Sequence, residues 1–321
     1  MYRPPFQTTQ KILTICTDIG ILLGKMEGMN APTPQPRLRR NNRVRTIHGT
    51  LSIEGNTLSL SQVTDVIEGK RVVGPPEDIL EVKNAVEVYK KLRYWRGNSQ
   101  ESLLEAHGLM MKGLSSDVGR WRRGDVGVMK GSIVAHMAPP YHRVAQLMAD
   151  LFSFLNDDLQ THWLVRAAVF HYELEFIHPF DDGNGRMGRL WQQVLLFEQH
   201  PSFEYLPIES LARQHQPGYY QVLGECDQKG DSTSFIEFML SLVAQALSEL
   251  LDFLQPPPNT RERRVETALA AFAVQSFTRR DYRRLHRQIS SATASRDLRW
   301  AVEAGLLVRH GDKATTRYQV A

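Results

Sequence analysis

A segment that is apolar nearly all the way round a helix constrains this chain more than any other feature. Residues 162–177 follow the 3.6-residue repeat of a helix, and their apolar side chains are not confined to one face. Such a helix needs protein on every side. Segments 10–28, 144–155 and 235–254 also read as helices and could supply that cover. We therefore predict a mainly α-helical protein built around residues 162–177.

Length and composition narrow the classes of protein that the chain can belong to. Its 321 residues suit two domains, and 42% apolar with 23% charged residues excludes a disordered or fibrous chain. The two cysteines, Cys16 and Cys226, lie far apart in the sequence, so we expect neither a disulfide framework nor a cysteine zinc site. A reducing compartment fits this low cysteine content. We find no membrane span or signal peptide in the sequence and expect a cytoplasmic protein without a membrane partner.

Breaks in the sequence divide it into three regions. We predict an N-terminal helical region over residues 1–95, a central domain over 96–254 and a small C-terminal domain over 261–321, after a proline-rich linker at 255–260. Inside the central domain, residues 126–137 mix β-branched residues with glycines and precede Pro139 and Pro140. That pattern predicts a β-hairpin.

The polar segment His178–Arg189, HPFDDGNGRMGR, follows the apolar helix directly. Gly183 and Gly185 flank Asn184 just before a helical pattern resumes, so backbone N–H groups at a helix N-terminus can approach an anion closely. Arg186 and Arg189 are three residues apart and share a face of that helix. Two guanidinium groups beside an N–H cradle favour a polyphosphate site.

Two further residues in this segment point to transfer chemistry. Asp182 precedes the cradle and could hold a divalent cation together with phosphate oxygens. His178 lies at the other end, where a neutral imidazole could accept the proton of an incoming hydroxyl. Each feature alone has an ordinary explanation, such as a turn or a solvated arginine. Their coincidence within twelve residues favours phosphoryl or nucleotidyl transfer.

The segment His178–Arg189 resembles the signature of Fic-domain proteins, HPFxDGNGRxxR, at every fixed position. The resemblance extends over roughly residues 40–250 and includes the predicted hairpin and the pair Tyr219-Tyr220. It implies a helical Fic core with a β-hairpin flap. It also implies a protein adenylyltransferase that moves AMP from ATP to a Ser, Thr or Tyr hydroxyl of a target protein, or of the chain itself.

The resemblance also assigns roles to residues. It makes His178 the general base and Asp182 the Mg²⁺ ligand, and it places Arg186 beside the β-phosphate and Arg189 beside the γ-phosphate. The other ATP-binding positions that it implies are Gly183, Asn184, Gly185, Met187, Gly188, the flap residues Val134, Ala135, His136 and Met137, and the adenosine-side pair Tyr219 and Tyr220. Ordinary helix packing is the open alternative for the two tyrosines, and Asp227 stands where relatives have an Asn.

Residues 50–55, TLSIEG, resemble the (S/T)xxxE(G/N) inhibitory motif of the same family. Glu54 at a helix C-terminus meets the unfavourable end of the helix dipole, so a guanidinium partner would stabilise it. The resemblance implies that Glu54 pairs with Arg189 and keeps it from the γ-phosphate, which predicts an autoinhibited enzyme. A solvated Glu54 is the alternative. A further option is that Glu54 orients a water that removes AMP from a modified target.

The C-terminal region carries an excess of positive charge. Residues 261–321 contain 13 Lys and Arg against 6 Asp and Glu, and we predict three short helices followed by a hairpin. That order is typical of a winged helix-turn-helix, whose third helix often enters the DNA major groove, here with Arg296 and Arg299. A protein-docking or dimer-stabilising wing is the alternative.

Three functions therefore stay open from the sequence. The first is the autoinhibited adenylyltransferase, and the second is a DNA-binding regulator whose Fic core senses nucleotide. The third is a Fic enzyme of other transfer chemistry, such as phosphoryl or phosphocholine transfer. The intact Gly-Asn-Gly-Arg run at 183–186 argues against the kinase-like branch of the third.

Overall fold

A computed structural model describes residues 2–29, 36–130, 133–254, 260–273, 275–312 and 315–321, with the side chains of 128–136 left outside the description. The chain forms two compact units, one ending at Leu254 and one C-terminal to it. The predicted linker residues 255–259 fall outside the described ranges. The fold is mainly helical, as predicted.

The described part of the first unit contains eleven α-helices, two 3₁₀ segments and one hairpin. The helices are α1 (Gln10–Gly28), α2 (Pro36–Ile53), α3 (Leu60–Ile67), α4 (Pro76–Lys90), α5 (Gln100–Met110), α6 (Tyr141–Asp157), α7 (Trp163–Ile177), α8 (Asn184–Gln199), α9 (Ile208–Gln214), α10 (Gln216–Lys229) and α11 (Thr233–Leu254). The 3₁₀ segments are Leu92–Tyr94 and Pro201–Tyr205, and the hairpin consists of β1 (Gly127–Lys130) and antiparallel β2 (Ile133–Met137). This hairpin lies where the alternating pattern predicts it.

Helix α7 lies at the centre of the first unit, as its all-round apolar pattern predicts. Eleven of its 15 residues are buried, and α6, α8 and α11 pack against it. Gly188 of α8 permits the closest approach, because a Cβ atom there would lie 2.6 Å from Cδ2 of His171. The end of α7 and the start of α8 are therefore held together, and the polar segment connects them.

Helix α2 is held in place by α9 and by the segment before it. A Cβ atom on Gly49 would lie 2.7 Å from the backbone carbon of Glu209, so α2 contacts the backbone of α9 directly. Asn42 donates a 2.9 Å hydrogen bond to the carbonyl of Tyr205. These contacts fix the position at which α2 ends, beside Glu54.

Helix α11 has the length and apolar composition of a membrane-spanning helix, which the sequence reading did not recognise. It contains 22 residues, and 56% of its most apolar window is buried inside the protein. Its buried residues include Phe235, Met239 and Leu247, and it packs against α1, α7 and α10. That packing is typical of a core helix in a folded domain.

The second unit has its own core. Its described elements are α12 (Arg261–Ala271), α13 (Arg279–Leu285), α14 (Ser291–Glu303), β3 (Leu307–His310) and antiparallel β4 (Arg317–Val320). Arg264 forms a buried ion pair of 2.7 Å with Asp297, which also accepts a hydrogen bond from the Tyr282 hydroxyl. The elements occur in the predicted order of three helices and a hairpin.

Candidate functional site

His178 is placed by an abrupt turn at the end of α7. It adopts φ 50° and ψ 58°, and it is the one non-glycine residue with positive φ among the described residues. A non-glycine residue in this region is strained, and such strain is often found at functional sites. Its Nδ1 lies 3.3 Å from the carbonyl oxygen of Glu175. Because a carbonyl only accepts, Nδ1 carries a proton in this contact, and a neutral ring would then have its lone pair on Nε2.

The side chain of Asn184 closes the loop between α7 and α8. Its Oδ1 accepts a 2.9 Å hydrogen bond from the N–H of Phe180, and its Nδ2 donates a 2.8 Å bond to the carbonyl of the same residue. Only 2% of Asn184 is exposed. Gly183 before it has φ 85°, a conformation that favours glycine. Asn184 can therefore bind an anion through its backbone N–H, whereas its side chain fixes the conformation of the loop.

The carboxylate of Glu54 lies at the N-terminus of α8. A Cβ atom on Gly185 would overlap Oε1 of Glu54, so the carboxylate rests on the first turn of the helix. Arg189, one turn later, donates to Oε1 of Glu54 at 2.5 Å. The positive end of a helix dipole attracts anions. Glu54 therefore occupies the anion position that the sequence predicts there.

Arg189 is held by α2 as well as by Glu54. Its Nε donates to the Thr50 hydroxyl at 3.0 Å and its Nη2 to the Thr50 carbonyl at 3.2 Å. Its side chain is 2% exposed, against 30% for Glu54. Burial, the largest single influence, lowers the pKa of Arg189, but the charge and hydrogen bond of Glu54 together with the nearby Glu175 and Tyr219 raise that pKa above its ordinary value. The guanidinium is thus charged and paired with protein groups.

Arg186 is paired with two other carboxylates. Its Nη1 donates to Oε1 of Glu81 in α4 at 2.5 Å, and its Nη2 donates to both carboxylate oxygens of Asp182 at 3.0 and 3.1 Å. The Asp182 side chain is 62% exposed. Among the described residues, no cluster of three metal-ligating side chains is present. One exposed carboxylate suits Mg²⁺, which keeps several waters and takes its other ligands from phosphates.

Two signature positions pack inside the protein. Met187 is fully buried, and Gly188 packs against the His171 ring. Their role as ATP-binding residues stays a prediction. Both lie on the face of α8 that packs against α7, and that packing is their physical role.

The two tyrosines of α10 differ in exposure. Tyr219 is 1% exposed, and its hydroxyl donates to Oε1 of Glu175 at 3.3 Å and lies 3.0 Å from Nε2 of His171. The adenosine contact of Tyr219 stays a prediction, with helix packing as its alternative. Tyr220 is 44% exposed and donates to the carbonyl of Ile53 at 3.3 Å, beside Glu54. Asp227 accepts a 3.0 Å hydrogen bond from the Tyr172 hydroxyl.

The predicted flap residues lie in β2. The pairing of β2 with β1 shifts register between Val128 and Met129, so that His136 pairs with Val128 and Val134 with Met129. The side chains of Val134, Ala135 and His136 lie outside the described part of the chain. Met137 at the end of the strand is 68% exposed.

Arg122 is a residue of the site that sequence reasoning missed. Its fully buried side chain donates to the carbonyl of His178 at 2.8 Å, to that of Gly124 at 2.7 Å and to that of Pro139. Its own N–H donates to the carbonyl of Pro179 at 2.8 Å. One guanidinium therefore ties the strained turn at His178 to both ends of the hairpin. A lone Arg that binds backbone carbonyls leaves no spacing pattern in a sequence.

His107 of α5 is a second residue that was missed. Its ring stacks on Phe180 at 3.7 Å between centroids, and its Nδ1 accepts a 2.9 Å hydrogen bond from the N–H of Gly119. Because Nδ1 accepts, Nε2 carries the proton and donates to the Asp182 carbonyl at 3.0 Å. Burial lowers the pKa of His107 to about 4, which keeps the ring neutral. His107 therefore holds the loop between α7 and α8 through Phe180 and the Asp182 carbonyl.

Comparisons with known proteins bear on the family and the fold of this chain. A sequence profile of the Fic/DOC family matches residues 98–196. The crystal structure of a Fic family protein from Desulfovibrio desulfuricans G20 is 39% identical, with a TM-score of 0.75 over 100% of this chain and 98% of that one. A structure of Fic-1, residues 134–508, from C. elegans is 23% identical, with a TM-score of 0.63 over 75% of this chain and 73% of that one, and it supports the fold alone.

Curated relatives carry an enzyme name. Protein adenylyltransferase fic-1 of Caenorhabditis briggsae is 30% identical over 201 residues, which are 59% of this chain and 38% of that protein. Protein adenylyltransferase Fic of Culex quinquefasciatus is 28% identical over 221 residues, 66% of this chain and 42% of that protein. The chain thus spans about two fifths of the length of these relatives.

Proposed function

This chain belongs to the Fic/DOC family, and from that membership we propose that it is a protein adenylyltransferase that transfers AMP from ATP to a hydroxyl of a target protein or of itself. One observation carries the proposal. The base His178 and the anion-binding start of α8, with Arg186 and Arg189, lie at the two ends of one loop. A base beside a triphosphate site is what nucleotidyl transfer needs.

The reaction follows from these positions. Nε2 of His178 takes the proton of the acceptor hydroxyl as the hydroxyl oxygen attacks the α-phosphorus of ATP. The bond from the α-phosphorus to the bridging oxygen breaks, and pyrophosphate leaves with the electron pair. Backbone N–H groups of residues 183–185 and the guanidinium of Arg186 stabilise the charge on the phosphates. Asp182 is the residue that would hold Mg²⁺, which when bound adds positive charge beside the same phosphates.

We further propose that Glu54 inhibits this reaction. Its carboxylate lies on Gly185 and is bonded to Arg189, so a γ-phosphate would meet a negative charge and find its guanidinium taken. Tyr220 and Thr50 support the same arrangement from α10 and α2. ATP then binds productively only when Glu54 moves away from Arg189.

The proposal is tested in the Glu54→Gly background, where inhibition is removed. Incubation with Mg²⁺ and labelled ATP should add one AMP moiety to the chain or to proteins of a lysate, as read by intact mass and label. Adding His178→Ala should abolish the adduct, whereas His310→Ala, at an exposed histidine of β3, should leave it unchanged. An adduct that persists without His178, or its absence from the Glu54→Gly parent under every condition, would disprove the activity.

A further inference from the structure

The second unit presents a surface rich in arginine that the proposed reaction does not use. Between Thr278 and Glu303, seven arginines have exposed side chains, and this set is named the arginine face: Arg279, Arg280, Arg283, Arg284, Arg287, Arg296 and Arg299. The segment contains no lysine. Arginine binds phosphate oxygens with a planar fork of donors and is the residue favoured for nucleic-acid backbones.

Packing of the two helices directs the arginine face outward. In α14, Ala294, Leu298 and Ala301 are buried, so the helical repeat leaves Arg296 and Arg299 on the opposite side. In α13, Tyr282 is buried and Arg279, Arg280, Arg283 and Arg284 are exposed. Nη1 of Arg279 donates to the Ser295 hydroxyl of α14 at 3.0 Å. Arg279 at the start of α13 therefore lies beside α14.

The carboxylates of this segment compensate little of that charge. Asp297 is buried and paired with Arg264 of α12. Asp281 accepts hydrogen bonds from the N–H and hydroxyl of Thr278 at the start of α13, and it lies 3.7 Å from one arginine, Arg284. Glu303 is at the far end of α14. The charge on the arginine face is thus available to a partner that carries a regular array of negative charge.

We propose that the arginine face binds the phosphate backbone of duplex DNA, with α14 directed at the major groove. Helices α13 and α14, joined by a turn and followed by the β3–β4 hairpin, have the arrangement in which a second helix enters the groove and the first crosses the backbone. The α14 N-terminus adds the favourable end of its dipole and the hydroxyls of Ser290 and Thr293. This inference is independent of the adenylyl-transfer site.

Binding of the full chain to a fluorescent random-sequence duplex is measured by anisotropy at several salt concentrations. If about four arginines each neutralise one phosphate, the log–log salt slope is about −3.6, and affinity falls roughly 100-fold from 50 to 200 mM salt. The double variant Arg296→Ala and Arg299→Ala should flatten the slope by about 1.8. Arg263→Ala, an exposed arginine of α12 outside the arginine face, should change nothing.

Three results would overturn the proposal. The first is no binding at 50 mM salt, and the second is unchanged binding by the double variant. The third is equal competition by polyglutamate, which would identify an acidic protein as the partner. A charge reversal in α13 and the turn after it, Arg283→Glu with Arg287→Glu, keeps the test valid if the α14 variants unfold, and melting temperatures show whether they do. His178→Ala should bind DNA as the wild type does, so failure of the enzyme activity and failure of DNA binding are distinguishable.

Discussion

Replacing Glu54 by Gln tests the inhibitory contact with little change in shape. Glutamine keeps the length of the side chain and one carbonyl oxygen that can accept from Arg189. It removes the negative charge that lies on Gly185 and on the guanidinium. Any change in AMP transfer therefore reports the charge of Glu54 rather than its bulk.

The size of the effect follows from the exposure of the pair. Glu54 is 30% exposed while Arg189 is 2% exposed, so the value for a charge-assisted hydrogen bond, about 1.5 to 3 kcal/mol, applies rather than that of a fully buried ion pair. A neutral bond retains about 1 kcal/mol. Glu54→Gln should then release about 0.5 to 2 kcal/mol and speed AMP transfer roughly 2- to 30-fold. Glu54→Gly removes the whole contact and should speed it roughly 10- to 150-fold.

The assay measures initial rates with labelled ATP at limiting and saturating concentrations, together with calorimetric binding of ATP and ADP. If Glu54 competes with the γ-phosphate, as proposed, the variants should bind ATP more tightly. They should bind ADP within about twofold of the wild type, since ADP has no γ-phosphate to meet the freed Arg189. The control is Glu204→Gln, which removes the charge of a carboxylate paired with Arg93 at 2.6 Å outside the site. Equal rates for Glu54→Gln and the wild type would refute the reasoning, as would equal gains in ATP and ADP affinity.

Two further predictions concern the residues that hold the loop. In the Glu54→Gly background, Arg122→Met should lower AMP transfer about 100-fold, because the turn at His178 loses its hydrogen-bonded connection to the hairpin. The control Arg166→Met removes a 2.9 Å bond to the Leu155 carbonyl and should leave the rate near that of its parent. Equal losses in the two variants would contradict a positioning role for Arg122. The pKa of His107 is about 4 in the folded state and 6.5 in the unfolded state, so only the unfolded state gains a proton between these values and the free energy of unfolding should fall by about 2 kcal/mol from pH 7 to pH 5. In denaturant titrations at several pH values, His107→Gln should lose this part of the pH dependence. An unchanged pH dependence in the variant would contradict the prediction.

The parts of the site that sequence predicts are those that lie close together in the chain. His178, Gly185 and Arg189 lie in one loop and the helix turn that follows it, so their spacing in the sequence already predicts that they are close in space. The central position of α7 followed in the same way from its composition. Helix α3 shows that a local signal can be overlooked, because Ser59 and Gln62 form the capping box that begins it and are visible in the sequence.

The features of the site that sequence does not predict depend on packing across the fold. Arg122 acts on His178 from 56 residues away, through backbone carbonyls that every residue has. Met187 belongs to the signature but faces the core, because only one side of α8 is turned to the loop. Tyr219 is buried for a similar reason. A motif fixes which residues are near one another but not which side of the helix reaches a ligand.

The two arginines of α8 differ in how a nucleotide phosphate can reach them, because they are paired with different carboxylates. Arg186 is bonded to Glu81 and to Asp182, and Asp182 is 62% exposed, so a phosphate can join that cluster if a cation shares the added charge. Arg189 is buried with Glu54 as its ionic partner, so a phosphate can reach it only by replacing that carboxylate. Under the proposed inhibition, exchange of one anion for another controls the second arginine, and the strength of inhibition is the difference between two pairings of the same guanidinium.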